Sequence, residues 1–321
     1  MMKRLIIAFF LLGAITKVRA QTPRITFKSP LLYPEGVAFD KANKTFYLSS
    51  VKTGAIGTVD QFGNYKEFYK DKDLISSFGM KIDAKAKRLL ICLSDPNPNY
   101  SEFSSAETLK KMGRLIAVSL VTKKKTMDVN LAELYPGHHF INDLTMDNSG
   151  NLYITDSYSP VIYKIDVQGK ASVFSESELF KSGDIGLNGI AYHTAGYLIT
   201  VNNSNGSILK VDLADPKKIS KVAIKNLFPG ADGLLFDQGE LILVQNKGVN
   251  KIFRIASADD WQTASVKAAT SGEDRFAQPS TAIADANRIW VLNSKLNELS
   301  NPAMVPSKEF SLQLAVFRPV N

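Results

Sequence analysis

One pattern recurs six times along this chain and constrains its fold more than any other feature. An anchor residue is followed, usually, by a small one, then by alternating apolar positions, with an acid or its stand-in five residues after the anchor. The six copies are residues 35–40 (EGVAFD), 78–83 (FGMKID), 142–147 (NDLTMD), 188–193 (NGIAYH), 232–237 (DGLLFD) and 280–285 (STAIAD), with anchors 43, 64, 46, 44 and 48 residues apart. Each copy is followed by a turn and a strongly apolar strand, as at 89–93 (LLICL), 197–201 (YLITV) and 241–244 (LILV). A third strand alternates with period two, as at 161–166 (VIYKID), and a weaker fourth follows, as at 171–174 (ASVF). Four short strands per unit of about 45 residues, with helical periodicity nearly absent, is the arithmetic of a β-propeller. The expected fold is therefore all-β: a six-bladed β-propeller of four-stranded blades. The sixth blade shows three strands, the last in 310–317 (FSLQLAVF). Residues 24–28 (RITFK) supply a fourth, so the N-terminal strand is expected to close the ring.

The first twenty residues stand outside this repeat. Lys3 and Arg4 precede an apolar run over 5–15, and Val18-Arg19-Ala20 reads as a small-x-small cleavage site. That is the pattern of a secretory signal peptide, too short in its apolar part to span a bilayer. The mature chain, 21–321, is thus expected to be one exported domain, periplasmic or extracellular, with no membrane span. The leader also carries charge. Of 39 Lys and Arg, four (Lys3, Arg4, Lys17, Arg19) lie in it, leaving 35 against 31 acids. So weak a surplus, with no basic stripe interleaved with aromatics, gives no footing for nucleic acid. The single cysteine, Cys92, sits in an apolar strand and reads as a small buried hydrophobe.

In a propeller the first strand of each blade lines the central channel, so the six anchors should converge at one mouth of it. They are Glu35, Phe78, Asn142, Asn188, Asp232 and Ser280. Glu35, Asn142, Asn188 and Asp232 offer oxygen donors and no sulfur or imidazole. Such a set suits Ca²⁺, with Mg²⁺ and Mn²⁺ as further candidates, and not zinc. Taken singly, these residues are ordinary turn formers and strand caps; the argument for a metal is that four of the six occur in register.

The same residues carry a resemblance. Segments 33–40 (YPEGVAFD), 142–157 (NDLTMDNSGNLYITDS), 187–190 (LNGI) and 231–234 (ADGL) resemble the senescence marker protein-30/gluconolactonase family of calcium propellers, and the likeness runs the length of the mature chain. The resemblance implies that Glu35, Asn142, Asn188 and Asp232 surround a catalytic metal. It is specific at the level of fold and not of substrate. Sugar-lactonase members place an arginine two positions before the first of those asparagines, where this chain has Phe140, which fits a more apolar substrate. Related paraoxonases use a histidine pair at the channel mouth. His138 and His139 lie on the loop leading to the site but in no matching motif, and loop histidines are their plainer reading. His193 takes the acid position of the repeat and reads as structural.

A metal of this kind polarises a carbonyl or phosphoryl oxygen while water attacks. Asp232 is the first candidate for a carboxylate that accepts the water's proton or attacks directly. Asp143 is the reserve base, with a strand cap as its alternative role. Two long connections, 95–112 and 293–309, are expected on the anchor face. The first contains 105–112 (SAETLKKM), which reads as a capped short helix within a partial lid that brings Tyr100 and Phe103 near the substrate. With Phe78, Phe140, His139 and Ser280, these complete the expected pocket. Three functions compete: a metal-dependent hydrolase of a lactone or related ester, a binding or scaffold propeller with a structural cation, and a non-hydrolytic enzyme in the manner of strictosidine synthase. The sequence carries a small-molecule substrate no further than this and leaves the oligomeric state open.

Overall fold

A computed structural model describes residues 23–30 and 32–320; the leader reading falls outside them. Six antiparallel sheets follow one another around an axis. The innermost strands are Val37–Asp40, Ser76–Asp83, Ile141–Met146, Leu187–His193, Ala231–Asp237 and Pro279–Asp285, and three further strands complete each blade outward. In the sixth blade the outermost place is taken by Arg24–Lys28, which pairs antiparallel with Glu309–Leu314, Phe27 opposite Phe310. The N-terminal strand closes the ring, as its sequence predicts. Among the described residues no helix is long and apolar enough to cross a membrane.

The continuous apolar runs of the second strands follow from burial on both faces. Successive side chains of a strand point to opposite sides. In the fourth blade Tyr197, Ile199 and Val201 pack against the fifth blade, whereas Leu198 packs against the third. Similar clusters fill the other junctions between neighbouring blades, and Cys92 is fully buried in one of them.

Two segments depart from expectation. Residues 105–112 form turns, not a helix. Only Leu109 N–H to Ser105 C=O (2.8 Å) and Met112 N–H to Thr108 C=O (2.9 Å) have helical spacing, because the Lys110 N–H donates to the Asp95 carbonyl at 2.7 Å. The Asp95 carboxylate also accepts from the Ser104 and Thr108 hydroxyls, both at 2.8 Å, and pulls the segment down onto the blade. At the other end of the chain, the last strand of the sixth blade stops at Leu314. Arg318–Pro319 then crosses to the fifth blade as a fifth strand beside Ser265–Ala269. The Arg318 guanidinium holds Asp274 there with two bonds, 2.8 and 3.1 Å.

In the first three repeats the acid caps the turn after the inner strand, whereas Asp237 and Asp285 pair with Arg254 and Arg288. Asp40 accepts from Ala42 N–H (2.9 Å), Asp83 from Ala86 N–H (3.0 Å) and Asp147 from Ser149 N–H (2.9 Å). His193 does the same with Nδ1, accepting from Ala195 N–H at 3.2 Å, while its ring stacks on Tyr197.

Candidate metal centre

The anchors owe their orientation to a repeated irregularity. In blades two to six the inner strand slips register at the anchor: between Ser77 and Met80, Ile141 and Leu144, Leu187 and Ile190, Ala231 and Leu234, and Pro279 and Ala282. A bulge leaves its extra residue unpaired and re-aims the side chain. Here it turns five anchors, and in the first blade the residues just ahead of the strand hold Glu35. The small residue after the anchor has a separate cause. A Cβ on Gly36 would fall 2.1 Å from the Phe78 carbonyl oxygen, and one on Gly189 would fall 2.2 Å from the Asp232 carbonyl oxygen. Neighbouring inner strands therefore approach so closely that those positions have no room for a side chain.

Glu35, Asn142, Asn188, Asp232 and Asp143 line one cavity of about 20 Å³ on the axis, room for a single water or ion. All four proposed ligands are buried. Two of their oxygens, Glu35 Oε2 and Asn142 Oδ1, are buried with no hydrogen-bond donor. Other polar atoms of the set have partners. Asn142 Nδ2 donates to Ser157 Oγ (2.9 Å), which leaves its carbonyl oxygen as the free group. Asn246 donates to Asp232 Oδ2, and Asn188 also bonds that carboxylate. The backbone around Asn188 is held by the Thr155 hydroxyl, which donates to its carbonyl at 2.7 Å.

Three carboxyls share this space. Burial pushes Glu35 well above the usual carboxylate range, and the charges of Asp232 and Asp143 add to it. Asp232 is raised by burial and then by Asp143, with the hydrogen bonds from Asn188 and Asn246 opposing. Asp143 is raised to about 6 by burial, against the N–H groups of Leu144 (2.8 Å) and Ile190 (3.3 Å) and the charge of Lys81. Carboxylates crowded in a buried site with acceptor oxygens left over fit a hard divalent cation. Among the described residues no three His, Cys, Asp or Glu side chains form a metal-holding group, so such a centre depends on its amide oxygens.

The expected pocket residues divide. Phe78 and Phe140 meet edge to face, centroids 4.7 Å apart, with exposures of 1% and 6%; Tyr158 packs on Phe140 at 5.5 Å. Tyr100 lies close enough to Glu35 and Asp232 for their charges, after burial and Tyr158, to raise its phenol. Its loop is tied to the third blade by Tyr158 Oη donating to the Pro96 carbonyl (3.1 Å). Phe103 is half exposed, and none of the six expected pocket residues lines the axial cavity itself. Ser280 donates its hydroxyl to the Glu35 carbonyl and pairs with Ser294, so it braces the first anchor across the ring closure. His139 turns into the protein, its Nδ1 on Asp156. Sequence reasoning missed Asn246 and Ser157, which steer Asp232 and Asn142. Both follow apolar second strands, and only the pairing of strands brings them beside the anchors.

The fold and its oxygen-lined axial cavity define a six-bladed propeller with a candidate cation centre. No family profile matches the chain, and no curated protein sequence matches it. Solved structures do. The Malassezia sympodialis allergen Mala s 1 is 16% identical with a TM-score of 0.72, over 92% of this chain and 96% of that one. A luciferin-regenerating enzyme is 15% identical with a TM-score of 0.62, over 93% and 99%. Virginiamycin B lyase from Staphylococcus aureus is 14% identical with a TM-score of 0.55, over 92% and 100%. At these identities the likeness is one of fold.

Proposed function

We propose that this chain is a divalent-cation-dependent hydrolase acting on a small, largely apolar lactone or related ester, with Ca²⁺ preferred over Mg²⁺ and Mn²⁺. The observation that carries the reading is the pair of donorless oxygens, Glu35 Oε2 and Asn142 Oδ1, facing one ion-sized cavity with Asn188 and Asp232. Those four side chains would hold the ion. Bound there, it supplies a Lewis acid for the substrate carbonyl and positive charge for the developing oxyanion. Asp232, oriented by Asn246, is the first candidate to take a proton from the attacking water, and Asp143 on the same cavity is the second. Phe78, Phe140 and Tyr100 lie outside the axial cavity itself; rings placed beside the ligand set would favour a substrate without many hydroxyls. The leader-like first twenty residues would put this activity outside the cytoplasm.

A second reading, a binding or scaffold propeller with a structural cation, draws support from the burial of Phe78 and Phe140 against one another. The test is hydrolysis of a panel of lactones and aryl esters with Ca²⁺ and with EGTA, alongside melting temperature. Calcium-dependent turnover that Asp232→Asn abolishes supports the hydrolase. No turnover together with a Ca²⁺-raised melting temperature sinks it and leaves the structural cation. Saturating Ca²⁺ at a hundred times its Kd would add about 2.7 kcal/mol, and Glu35→Gln should remove that gain.

A further inference from the structure

The channel continues past the small cavity toward the opposite face of the propeller, and there it widens. Side chains from the later parts of all six inner strands enclose about 390 Å³. That is within the range of small-molecule sites, which are mostly apolar with a few placed polar groups. Polar atoms make up more of this funnel's exposed lining than apolar ones, and Phe39, Ile190, Leu234 and Ile283 contribute apolar side chains to it. Its charged lining is two lysines, Lys41 and Lys81, against one acid, Asp143. The Asp143 carboxylate is already met by the Leu144 and Ile190 N–H groups. Lys81 differs: among the described residues its ammonium has no hydrogen bond or ion pair, and burial draws it below the usual lysine range while Asp143 opposes this only through space.

We propose that this far-side funnel is a second ligand site, taking a compact apolar carboxylate whose head group pairs with Lys81 and whose tail lies along the inner strands. A positive lining with an unpartnered ammonium at its inner end selects an anion. The apolar side chains among that lining, Phe39, Ile190, Leu234 and Ile283, give a short hydrocarbon body surface to lie against. A fully hydrated inorganic anion would gain the charge and lose its water with nothing to bury. The funnel shares Val37, Met80, Asp143 and Thr281 with the axial cavity, but Lys81 has no part in the hydrolytic reading, so the proposal stands whether or not that cavity proves catalytic.

Titration calorimetry on the full mature chain, with octanoate as the carboxylate probe and 1-octanol as its neutral counterpart, tests this in Ca²⁺ and again in EGTA. Octanoate should bind at least about tenfold more tightly than octanol, the scale of one charge-assisted contact. Lys81→Met keeps a stem of similar length; it should remove that preference while octanol binding stays within about twofold. Ala284→Phe, which fills the funnel and leaves Lys81 in place, should abolish binding of both probes, with the melting temperature reporting that each variant is folded. Failure of octanoate to bind, equal binding of the two probes, or octanoate binding untouched by either substitution overturns the proposal.

Discussion

His139 Nδ1 lies 2.8 Å from Asp156 Oδ2, and both residues are buried. Tyr163 Oη donates to the same oxygen at 3.3 Å, while Oδ1 accepts N–H groups from Phe140 (2.9 Å), Tyr158 (3.0 Å) and Ser159 (3.1 Å). One carboxylate thus fixes the segment that delivers Phe140 and, two residues on, Asn142. Asp156→Ala would leave three backbone donors and an imidazole without their acceptor. At about 1–3 kcal/mol for each buried group left unsatisfied, partly recovered by water, a loss of at least about 3 kcal/mol is expected in urea unfolding. A loss under about 1 kcal/mol would show that the network does not hold this segment.

Gly189→Ala tests the closeness of the inner strands. Its Cβ meets the Asp232 carbonyl oxygen at 2.2 Å and the Leu234 nitrogen at 2.8 Å, both backbone atoms with no rotamer to change. The ring must open, at a cost of about 1–3 kcal/mol, and Asp232 must move from Asn188, so calcium affinity should fall with stability. Gly183→Ala, which meets nothing within 4 Å, is the control and should be close to neutral.

The closure of the ring rests on a strand whose inward side chains can be removed singly. Phe27 is 1% exposed and lies against Phe310 and Tyr65, centroids 6.3 and 6.5 Å away. Phe27→Ala should cost about 3–5 kcal/mol, read from the urea midpoint. Phe103→Ala, at a half-exposed position, should stay within about 0.5 kcal/mol. Similar values for the two would contradict closure by this strand.

His193 gives the stability a pH dependence of known sign. Burial lowers its imidazole below the usual value; Asp260 opposes this and Lys210 adds to it. The unfolded chain takes up this proton near pH 6.5, the folded chain at a lower pH. The contribution is therefore complete above the unfolded value and is lost as pH falls through the folded one. Between pH 7.5 and 5 the wild type should lose more unfolding free energy than His193→Gln. Parallel curves would assign the acid sensitivity to other groups.

Much of this architecture is written in local patterns. Six anchors, the small residue after them, the turn-capping acids and the doubly buried second strands are short-range features with periods a reader can count, and each follows from one pleat or one turn. The same register placed Glu35, Asn142, Asn188 and Asp232 on one axis before any coordinates. Residues 105–112 went astray because their helical spacing competes with Asp95, a partner ten or more positions earlier whose carbonyl captures the Lys110 amide. The C-terminal Arg318–Pro319 crossed to the fifth blade because Asp274, far away in sequence, offers its guanidinium a two-bonded partner.

By itself, then, the sequence determined the number of blades, their order, the strand that closes them and the oxygen donors that meet at the centre, because alternation and repetition act over a few residues. Only the tertiary structure decided which of those oxygens lack a donor, that His139 faces Asp156 and not the channel, that Ser280 serves the Glu35 backbone, and that the axis widens around an unpartnered Lys81. Those outcomes depend on which side chains from different blades arrive within hydrogen-bonding distance, and that is set by closing the ring.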